Sequence, residues 1–252
     1  AATGFDDSSS NSYAGITDAT TLNFTTVDVE APTITFSPLD DATGIADNVN
    51  ITLTFNEAIR KTDNTELTNS NIDSLITLKE DNSSGSTIDF DATIDSDKKI
   101  ITINPDSDFS SEQAVYVAIG ATVEDSSDNA IAAESITFTA ADSTPPTVTF
   151  SPADSETGIA VNSDITIAFD EVVRNIVDTS LTDANVDSLI TLKETNANGS
   201  NISFEAVIDT AKQLITIIPD NSFSSEQVVY VAIGATVEDS SDNAISASSI
   251  TF

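Results

Sequence analysis

Apolar and polar residues alternate along most of the chain, with the period of two that is typical of half-buried β-strands. Valine, isoleucine and threonine dominate these segments, and their β-branched side chains suit the pleated surface of a sheet. Within the first 140 residues the pattern predicts seven short strands, centred on residues 34–36, 51–55, 75–80, 88–94, 101–103, 115–119 and 136–138.

Turn-forming pairs separate the predicted strands, namely Ser-Pro at 37–38, Ser-Gly at 84–85, Asn-Pro at 104–105 and Asp-Asn at 128–129. One stretch departs from the alternation. The sequence LTNSNIDSL, at 67–75, has helical spacing and offers Asn or Ser as a cap, so it predicts a single short helical turn before the third strand.

The whole pattern occurs twice, 114 residues apart. Phe36 corresponds to Phe150 and Gly85 to Gly199, and no gap is needed as far as Phe138 and Phe252. The stretch VYVAIGATVEDSSDNAI is identical at 115–131 and 229–245. Two copies of one folding unit are therefore predicted.

Residues 1–30 do not begin a third copy. They loosely parallel the end of a unit: an acidic, serine-rich loop runs into an alternating strand, an acidic linker and Pro-Thr. We expect them to be the C-terminal fragment of a preceding repeat plus a linker, within a chain cut from a longer array. A single terminal strand cannot bury its own face, so this part is expected to be at most partly ordered.

The predicted fold class is all-β. Seven short strands in about 110 residues, with turn signals every eight to twelve, are typical of an antiparallel immunoglobulin-like β-sandwich. We expect two such sandwiches in tandem, at 31–144 and 145–252, preceded by the terminal strand of a preceding unit. The chain has no cysteine and no tryptophan, so aliphatic and phenylalanine side chains must fill both cores.

Charge narrows the range of partners. Forty-two acidic residues face eight basic ones, which gives a net charge of −34, while the 39% apolar content is enough for packed cores. No basic patch is available to neutralise phosphates, so we expect no nucleic-acid partner and no binding to anionic membranes. No apolar stretch approaches the length of a membrane span, so we expect no direct membrane insertion.

The absence of cysteine and histidine removes thiolate nucleophiles, imidazole bases and zinc-type sites. A metal bound here would be a hard ion that prefers oxygen ligands, and Ca²⁺ fits best.

The sequence PPTVTFSPADSETGIAVNSDITIAFDEVV, at 145–173, followed by ATVEDSSDNAI and SITF, resembles the bacterial immunoglobulin-like domain. The resemblance covers both repeats. Where that family often has glycine before the last-turn Asn, this chain has Asp128 and Asp242. The resemblance implies an array of repeats in a secreted or cell-surface bacterial protein, such as an adhesin or biofilm protein, in which calcium can stiffen the junctions.

In a seven-strand sandwich the loops after the second, fourth and sixth strands lie at the end where the chain enters. That end gathers acids of the linker, of the second strand's end and of the duplicated loop, and calcium favours such carboxylates. The candidate metal ligands are Asp28, Glu30, Glu57, Glu124, Asp125 and Asp128 in the first repeat, and Asp142, Glu171, Glu238, Asp239 and Asp242 in the second.

Two other interpretations of these acids stay open at this point. The sequence EDSSDN is also good turn chemistry, because Asp, Ser and Asn side chains bond to nearby backbone groups. Scattered acids also keep an extracellular protein soluble. In addition, Glu57 and Glu171 each lie three residues before an arginine, Arg60 or Arg174, so a local Glu–Arg pair is an alternative to metal binding.

The sequence favours a non-catalytic spacer of a large extracellular bacterial adhesin or biofilm protein, with Ca²⁺ at its junctions. No cleft or unique insertion marks an active site, so we expect no enzyme. The expected partners are neighbouring repeats and, in one alternative, other copies of the chain; a distal ligand is not identifiable.

One alternative is a self-assembling surface layer or filament, in which the strand within 1–30 pairs with another copy. Against it, the second repeat has its last strand, SITF, and leaves no obvious empty slot. A carbohydrate- or ice-binding module is the other alternative, although aromatic residues amount to only 6%.

Overall fold

The first repeat folds into nine short antiparallel strands. The computed structural model describes residues 8–10 and 24–252. The strands are β1 (Ile34–Ser37), β2 (Ile51–Phe55), β3 (Arg60–Lys61), β4 (Ile76–Glu80), β5 (Phe90–Ile94), β6 (Ile100–Pro105), β7 (Ala114–Ile119), β8 (Val123–Glu124) and β9 (Glu134–Thr139). The seven longer strands are the seven that the alternation predicts.

The second repeat contains the same nine elements in the same order. They are β10 (Val148–Ser151), β11 (Ile165–Phe169), β12 (Arg174–Asn175), β13 (Ile190–Glu194), β14 (Phe204–Ile208), β15 (Leu214–Pro219), β16 (Val229–Ile233), β17 (Val237–Glu238) and β18 (Ser248–Thr251).

Each repeat is an immunoglobulin-like sandwich. The first repeat has one four-stranded sheet, of order β1-β2-β6-β5, and one three-stranded sheet, of order β4-β7-β9. The second repeat has the matching sheets β10-β11-β15-β14 and β13-β16-β18. This division into four and three strands is that of a constant-type immunoglobulin domain. The predicted all-β fold class is confirmed.

Alternate residues of both sheets fill the two cores. Leu53 on β2 and Val117 on β7 are completely buried, while their chain neighbours face outward, because side chains along a strand point to opposite faces. Each repeat has its own cluster of buried residues, and the two clusters share no member.

Each repeat also contains a two-stranded ribbon, which the sequence did not predict. β3 pairs with β8, so that Arg60 lies opposite Glu124, and β12 pairs with β17, so that Arg174 lies opposite Glu238. Two-residue strands are too short to show an alternating pattern. The ribbons hold the acidic loop of each repeat beside the segment that follows the second long strand.

The predicted helical turn is a 3-10 helix, Asp73–Leu75, but the predicted Asn or Ser cap is wrong. The Asn71 side chain instead accepts a hydrogen bond from the Thr68 N–H, at 2.9 Å, and closes the turn before the helix. A second 3-10 helix, Val186–Leu189, occupies the same place in the second repeat and likewise has no side-chain cap.

The turn predicted at Asn104–Pro105 lies later in the chain than expected, whereas the turn predicted at Ser84–Gly85 lies where expected. Pro105 is the last residue of β6 and lies opposite Phe90, so the turn follows the proline. Gly85 lies in the hairpin loop as predicted, where a Cβ atom would come within 1.7 Å of the Glu80 carbonyl oxygen. Only glycine fits there without a shift of the backbone.

The predicted strand of a preceding unit falls mainly on residues that lie outside the described part of the chain. Residues 24–30 are described and form no strand, and the side chains of Phe24, Val27 and Val29 are largely exposed. Across the described residues, 8–10 and 24–252, no helix has the length and apolar character needed to cross a membrane.

Candidate metal centre

A buried aspartate organises the acidic loop of each repeat. Asp125 Oδ1 accepts hydrogen bonds from the N–H groups of Ser127, at 2.7 Å, and Asn129, at 2.9 Å. Its other oxygen accepts one from the Asn129 side chain, at 2.8 Å. Asp239 makes the same three bonds in the second repeat. The carboxylate therefore takes the part of a turn-forming group, as the turn interpretation of EDSSDN expects.

The same loop is attached to the linker that enters the repeat. The Asn129 side-chain amide also donates to the carbonyl oxygen of Asp28, at 3.2 Å. In the second repeat Asn243 donates to the carbonyl oxygen of Asp142, at 3.1 Å. The sequence had suggested these asparagines only as turn residues. Each asparagine therefore bonds its loop to a linker residue that lies 101 positions earlier in the chain.

Three carboxylates meet where linker, strand end and loop converge, and we call each group a linker triad. The first linker triad is Asp28, Glu57 and Asp125, and the second is Asp142, Glu171 and Asp239. In each triad one oxygen of every carboxylate lies within 4.8 Å of the others. The loop aspartate is buried, and the glutamate is half-buried. Six of the eleven predicted ligands thus come together in two groups of three.

The second linker triad lies between the two repeats. Asp142 belongs to the linker, and its Oδ1 accepts a hydrogen bond from the Ser111 hydroxyl of the first repeat, at 2.8 Å. The Ser143 N–H donates to the same hydroxyl oxygen, at 3.0 Å. The triad's other two carboxylates belong to the second repeat. Ser111 was not predicted, because nothing in the sequence distinguishes it from the other surface serines.

The electrostatics of the triads single out the glutamates. Burial raises the pKa of Glu57 above its usual value, and the carboxylates of Asp125 and Asp28 raise it further. Burial raises the pKa of Glu171 in the same way, together with the carboxylates of Asp239 and Asp142. Both glutamates would hold their charge more easily if a cation lay beside them.

One aspartate of each triad, Asp125 in the first and Asp142 in the second, has a lowered pKa. Burial acts to raise the pKa of Asp125, but the hydrogen bonds that Asn129 and Ser127 donate outweigh it, so the pKa is lowered. The Thr144 N–H and the Ser111 hydroxyl lower the pKa of Asp142. The hydrogen bonds to Asp125 and Asp142 therefore favour the ionised form of these two carboxylates.

The Glu–Arg pairs suggested by the sequence are wrong. Arg60 Nε lies 3.1 Å from Glu124 and its Nη2 lies 2.6 Å from Asp128, rather than beside Glu57. The reason is the ribbon: Arg60 on β3 is directly opposite Glu124 on β8. Glu57 precedes the ribbon and faces the linker.

Four of the predicted ligands are therefore engaged with arginine. Besides Glu124 and Asp128, these are Glu238, whose Oε1 lies 3.3 Å from Arg174 Nε, and Asp242, which pairs with Arg174 Nη2. Asp178, which the sequence did not suggest, joins the second group at 2.8 Å from Arg174 Nη2. The remaining predicted ligand, Glu30, lies outside the triads, and its N–H donates to Asp28 Oδ1 at 3.1 Å.

Comparison with known proteins identifies one matching family. The family described as "Bacterial Ig-like domain" matches the chain twice, at residues 28–140 and 142–252. No curated protein sequence matches the chain significantly.

Among solved structures, the N-terminal part of the bacterial S-layer protein SbsC is 8% identical and aligns over 88% of this chain and 44% of its own, with a TM-score of 0.32. The chain thus spans less than half of that protein. The titin fragment A168169 is 7% identical over 88% of this chain and 97% of its own, with a TM-score of 0.31. Domains 4–9 of SbsC are 9% identical over 89% of this chain and 31% of theirs, with a TM-score of 0.22.

Proposed function

The chain belongs to the bacterial Ig-like domain family, and on that basis we propose that it is a structural spacer of a bacterial surface protein. Its sandwiches stand in tandem within a large secreted or surface-attached protein of the adhesin or biofilm type. The chain catalyses no reaction; its role is mechanical. Ca²⁺ bound at the linker triads fixes each sandwich to the linker that enters it.

The observation that carries this proposal is the recurrence of the linker triad. A linker aspartate, a strand-end glutamate and a buried loop aspartate converge at both entrances, 114 residues apart. These three groups come from three different parts of the repeat. A cation that binds all three connects the linker to the strand and to the loop at once.

Charge supports a cation at each triad. Like charges a few ångströms apart repel each other, and the raised pKa values of Glu57 and Glu171 reflect that repulsion together with burial. Among the described residues, no lysine or arginine nitrogen lies within 4.0 Å of a triad carboxylate. Lys99 and Arg60 act on the first triad only from a distance and offset part of the repulsion. A divalent ion would relieve the remainder.

The chemistry of the donors favours calcium over other ions. The triad offers three carboxylates, which can supply one or two oxygens each, and Ca²⁺ takes six to eight oxygens with flexible geometry. Water can complete the shell, because the linker aspartate is exposed in the first triad and half-buried in the second. Mg²⁺ demands a stricter octahedron and gives up its own water reluctantly, so it fits less well.

A third acidic group provides a contrast. Asp178, Glu238 and Asp242 also lie within 4.8 Å of one another, but Arg174 contacts all three. The guanidinium already offsets part of that group's negative charge. The proposal therefore assigns the cation to the linker triads and leaves the ribbon groups to arginine.

The test is a calcium titration of the chelator-treated chain, followed by thermal melting. Extracellular calcium modules bind with dissociation constants of about 10⁻⁴ to 10⁻³ M. At tenfold excess over such a constant, each occupied site would add about 1.4 kcal/mol to the free energy of unfolding. We expect Glu57→Gln and Glu171→Gln each to remove one site, and the double variant to remove the response.

Matched controls keep the result specific. Glu205→Gln changes an exposed acid on β14 and should leave the response to calcium unaltered. Magnesium at the same concentration should stabilise the chain less. An equal response of the double variant and the wild type would place the ion elsewhere, and no response of the wild type to millimolar calcium would remove calcium from the proposal.

A further inference from the structure

The linker between the two repeats, residues 139–147, leaves little room for a hinge. It contains two prolines, Pro145 and Pro146, and therefore has seven backbone N–H groups. Six of these seven groups donate hydrogen bonds. Each proline fixes its own φ angle and restricts the residue before it, so the segment without N–H groups is stiff as well. Bending at this junction therefore requires that existing hydrogen bonds break.

The first part of the linker, residues 139–141, is held by the first repeat. Ala140 is only 2% exposed, and its N–H donates to Gln113 O at 2.9 Å. The N–H of Ala141 donates to Ile45 O at 2.7 Å. These residues therefore move with the first sandwich.

The later part of the linker is held by the second repeat at two points. The Thr147 N–H donates to Asp170 Oδ1, just after β11, at 2.7 Å. The Asn243 side-chain amide donates to the carbonyl oxygen of Asp142 at 3.1 Å. The strand end and the acidic loop of the second sandwich therefore both fix the linker.

Asp142 and Ser143 lie where these two sets of contacts meet. The Ser111 hydroxyl of the first repeat donates to Asp142 Oδ1 at 2.8 Å, and its oxygen accepts the Ser143 N–H at 3.0 Å. Asp142 is thereby bonded to both repeats, through its side chain to the first and through its carbonyl oxygen to the second.

The chemistry of this contact makes it a strong one. A hydroxyl that donates to a carboxylate forms a charge-assisted hydrogen bond, which is stronger than one between neutral groups. Ser111 and Asp142 are both half-buried, so water competes less for either group than at an exposed site. One hydroxyl group both donates and accepts, which an alanine at the same position cannot do.

We propose that Ser111 is a latch that fixes the orientation of the second repeat relative to the first without any bound ion. With the latch closed, the two sandwiches share one continuously bonded linker. With the latch open, the chain turns at residues 142–144, while the bonds on either side stay intact. The latch goes beyond the proposed calcium sites, because Ca²⁺ at the second linker triad joins Asp142 only to groups of the second repeat.

Pulsed electron–electron double resonance between two spin labels tests the latch. The chain has no cysteine of its own, so Thr77→Cys and Thr191→Cys supply the only labelling sites. Both positions are exposed, and they are equivalent positions on β4 and β13. In chelator the labelled chain should show one narrow distribution of distances. A broad distribution in chelator overturns the proposal.

Ser111→Ala in the labelled chain should broaden that distribution by about twofold or more, because both hydrogen bonds of the latch are lost. Ser110→Ala is the matched control, since it removes the exposed hydroxyl of the neighbouring residue and should leave the width unaltered. Thermal melting should show both sandwiches still folded in each variant. A distribution as narrow in Ser111→Ala as in Ser110→Ala overturns the proposal.

A second variant identifies the partner of the hydroxyl. Asp142→Ala should also broaden the distribution, and the double variant with Ser111→Ala should be no broader than Asp142→Ala alone, because the two side chains act in one contact. Independent, additive broadening overturns the assignment of Asp142 as the partner. All these measurements are made in chelator, so their outcome does not depend on whether calcium binds at the linker triads.

Discussion

At the scale of single residues, the most informative side chains are the buried aspartates of the duplicated loop. Asp125 and Asp239 are 0% and 1% exposed, yet each accepts three hydrogen bonds from its own loop. A buried carboxylate is tolerated where such donors replace water. The duplicated acidic tip is thus turn chemistry in its fold, and the same aspartate also faces the linker triad.

Asp239→Ala should destabilise the second repeat by about 2–4 kcal/mol, because the N–H groups of Ser241 and Asn243 lose the buried carboxylate that accepts their hydrogen bonds. Urea unfolding in chelator measures the loss apart from any bound cation. Asp108→Ala, which changes an exposed aspartate, should shift the free energy of unfolding by less than about 0.5 kcal/mol. Equal unfolding midpoints for the two variants would mean that the loop is held by other groups.

Glu171 makes stability depend on pH with a sign opposite to that of most salt-bridged acids. Its pKa in the folded chain is raised above its usual value of 4.5, so the folded state binds the proton more tightly than the unfolded state does. The stabilisation that protonation contributes is fully present below pH 4.5, and it is lost as the pH rises through the raised pKa of the folded state. Near neutral pH the charged glutamate therefore opposes folding.

Glu171→Gln removes this effect. In chelator near neutral pH the variant should be more stable than the wild type by less than about 1 kcal/mol, the scale of partly exposed charge interactions. Below pH 4.5 the difference should vanish, because the wild-type side chain is then protonated too. Thermal melts across this pH range measure the difference. A less stable variant near neutral pH would show that the charge of Glu171 makes a favourable contact.

At the scale of elements, the ribbons explain how a very acidic chain uses its few arginines. Arg174 Nε faces Glu238, which is 4% exposed, across the β12–β17 ribbon. Arg60 and Glu124 occupy the same positions on β3 and β8. A planar guanidinium can contact several carboxylates at once, which the point charge of lysine cannot do as well.

Arg174→Ala should cost about 2–4 kcal/mol, because it leaves the Glu238 carboxylate buried without its cation. Adding Glu238→Gln to that variant should recover part of the loss, since the uncompensated charge is then gone. Urea unfolding of both single variants and the double variant gives the coupling free energy. Strictly additive losses would show that the two side chains do not interact in solution.

The elements differ in how far the sequence could predict them. The seven longer strands were predictable because residues such as Leu53 and Ile103 alternate with polar neighbours along strands of five or six residues. The ribbons were not, because two residues carry no period. The linker triads were predictable only as part of a larger acidic set. Which acids face Arg60 and which face the linker depends on the register of β3 against β8, and sequence spacing does not give that register.

At the scale of the whole molecule, the net charge is −34, and nearby cations compensate the acids to different degrees in different parts of the fold. Acids at the ribbons are neutralised in part by arginine, whereas the linker triads hold three carboxylates each without a contacting cation among the described residues. We therefore expect the places where each folded unit meets its entering linker to respond most strongly to divalent ions and to salt. The sequence could show that the chain is acidic, but only the fold shows where the charge is uncompensated.

The separation of the two buried clusters predicts that the repeats unfold as two cooperative units. Ile167 on β11 corresponds to Leu53 on β2, and both are completely buried. Ile167→Ala should lower the stability of the second repeat alone by about 2–5 kcal/mol, and Leu53→Ala that of the first. Scanning calorimetry in chelator should show one transition that moves and one that stays in each variant.

The contacts across the linker, such as Ser111 with Asp142, are hydrogen bonds at a partly exposed site and are too few to couple the cores strongly. If instead both variants shift one common transition, the two sandwiches share a single folding unit in solution despite their separate cores.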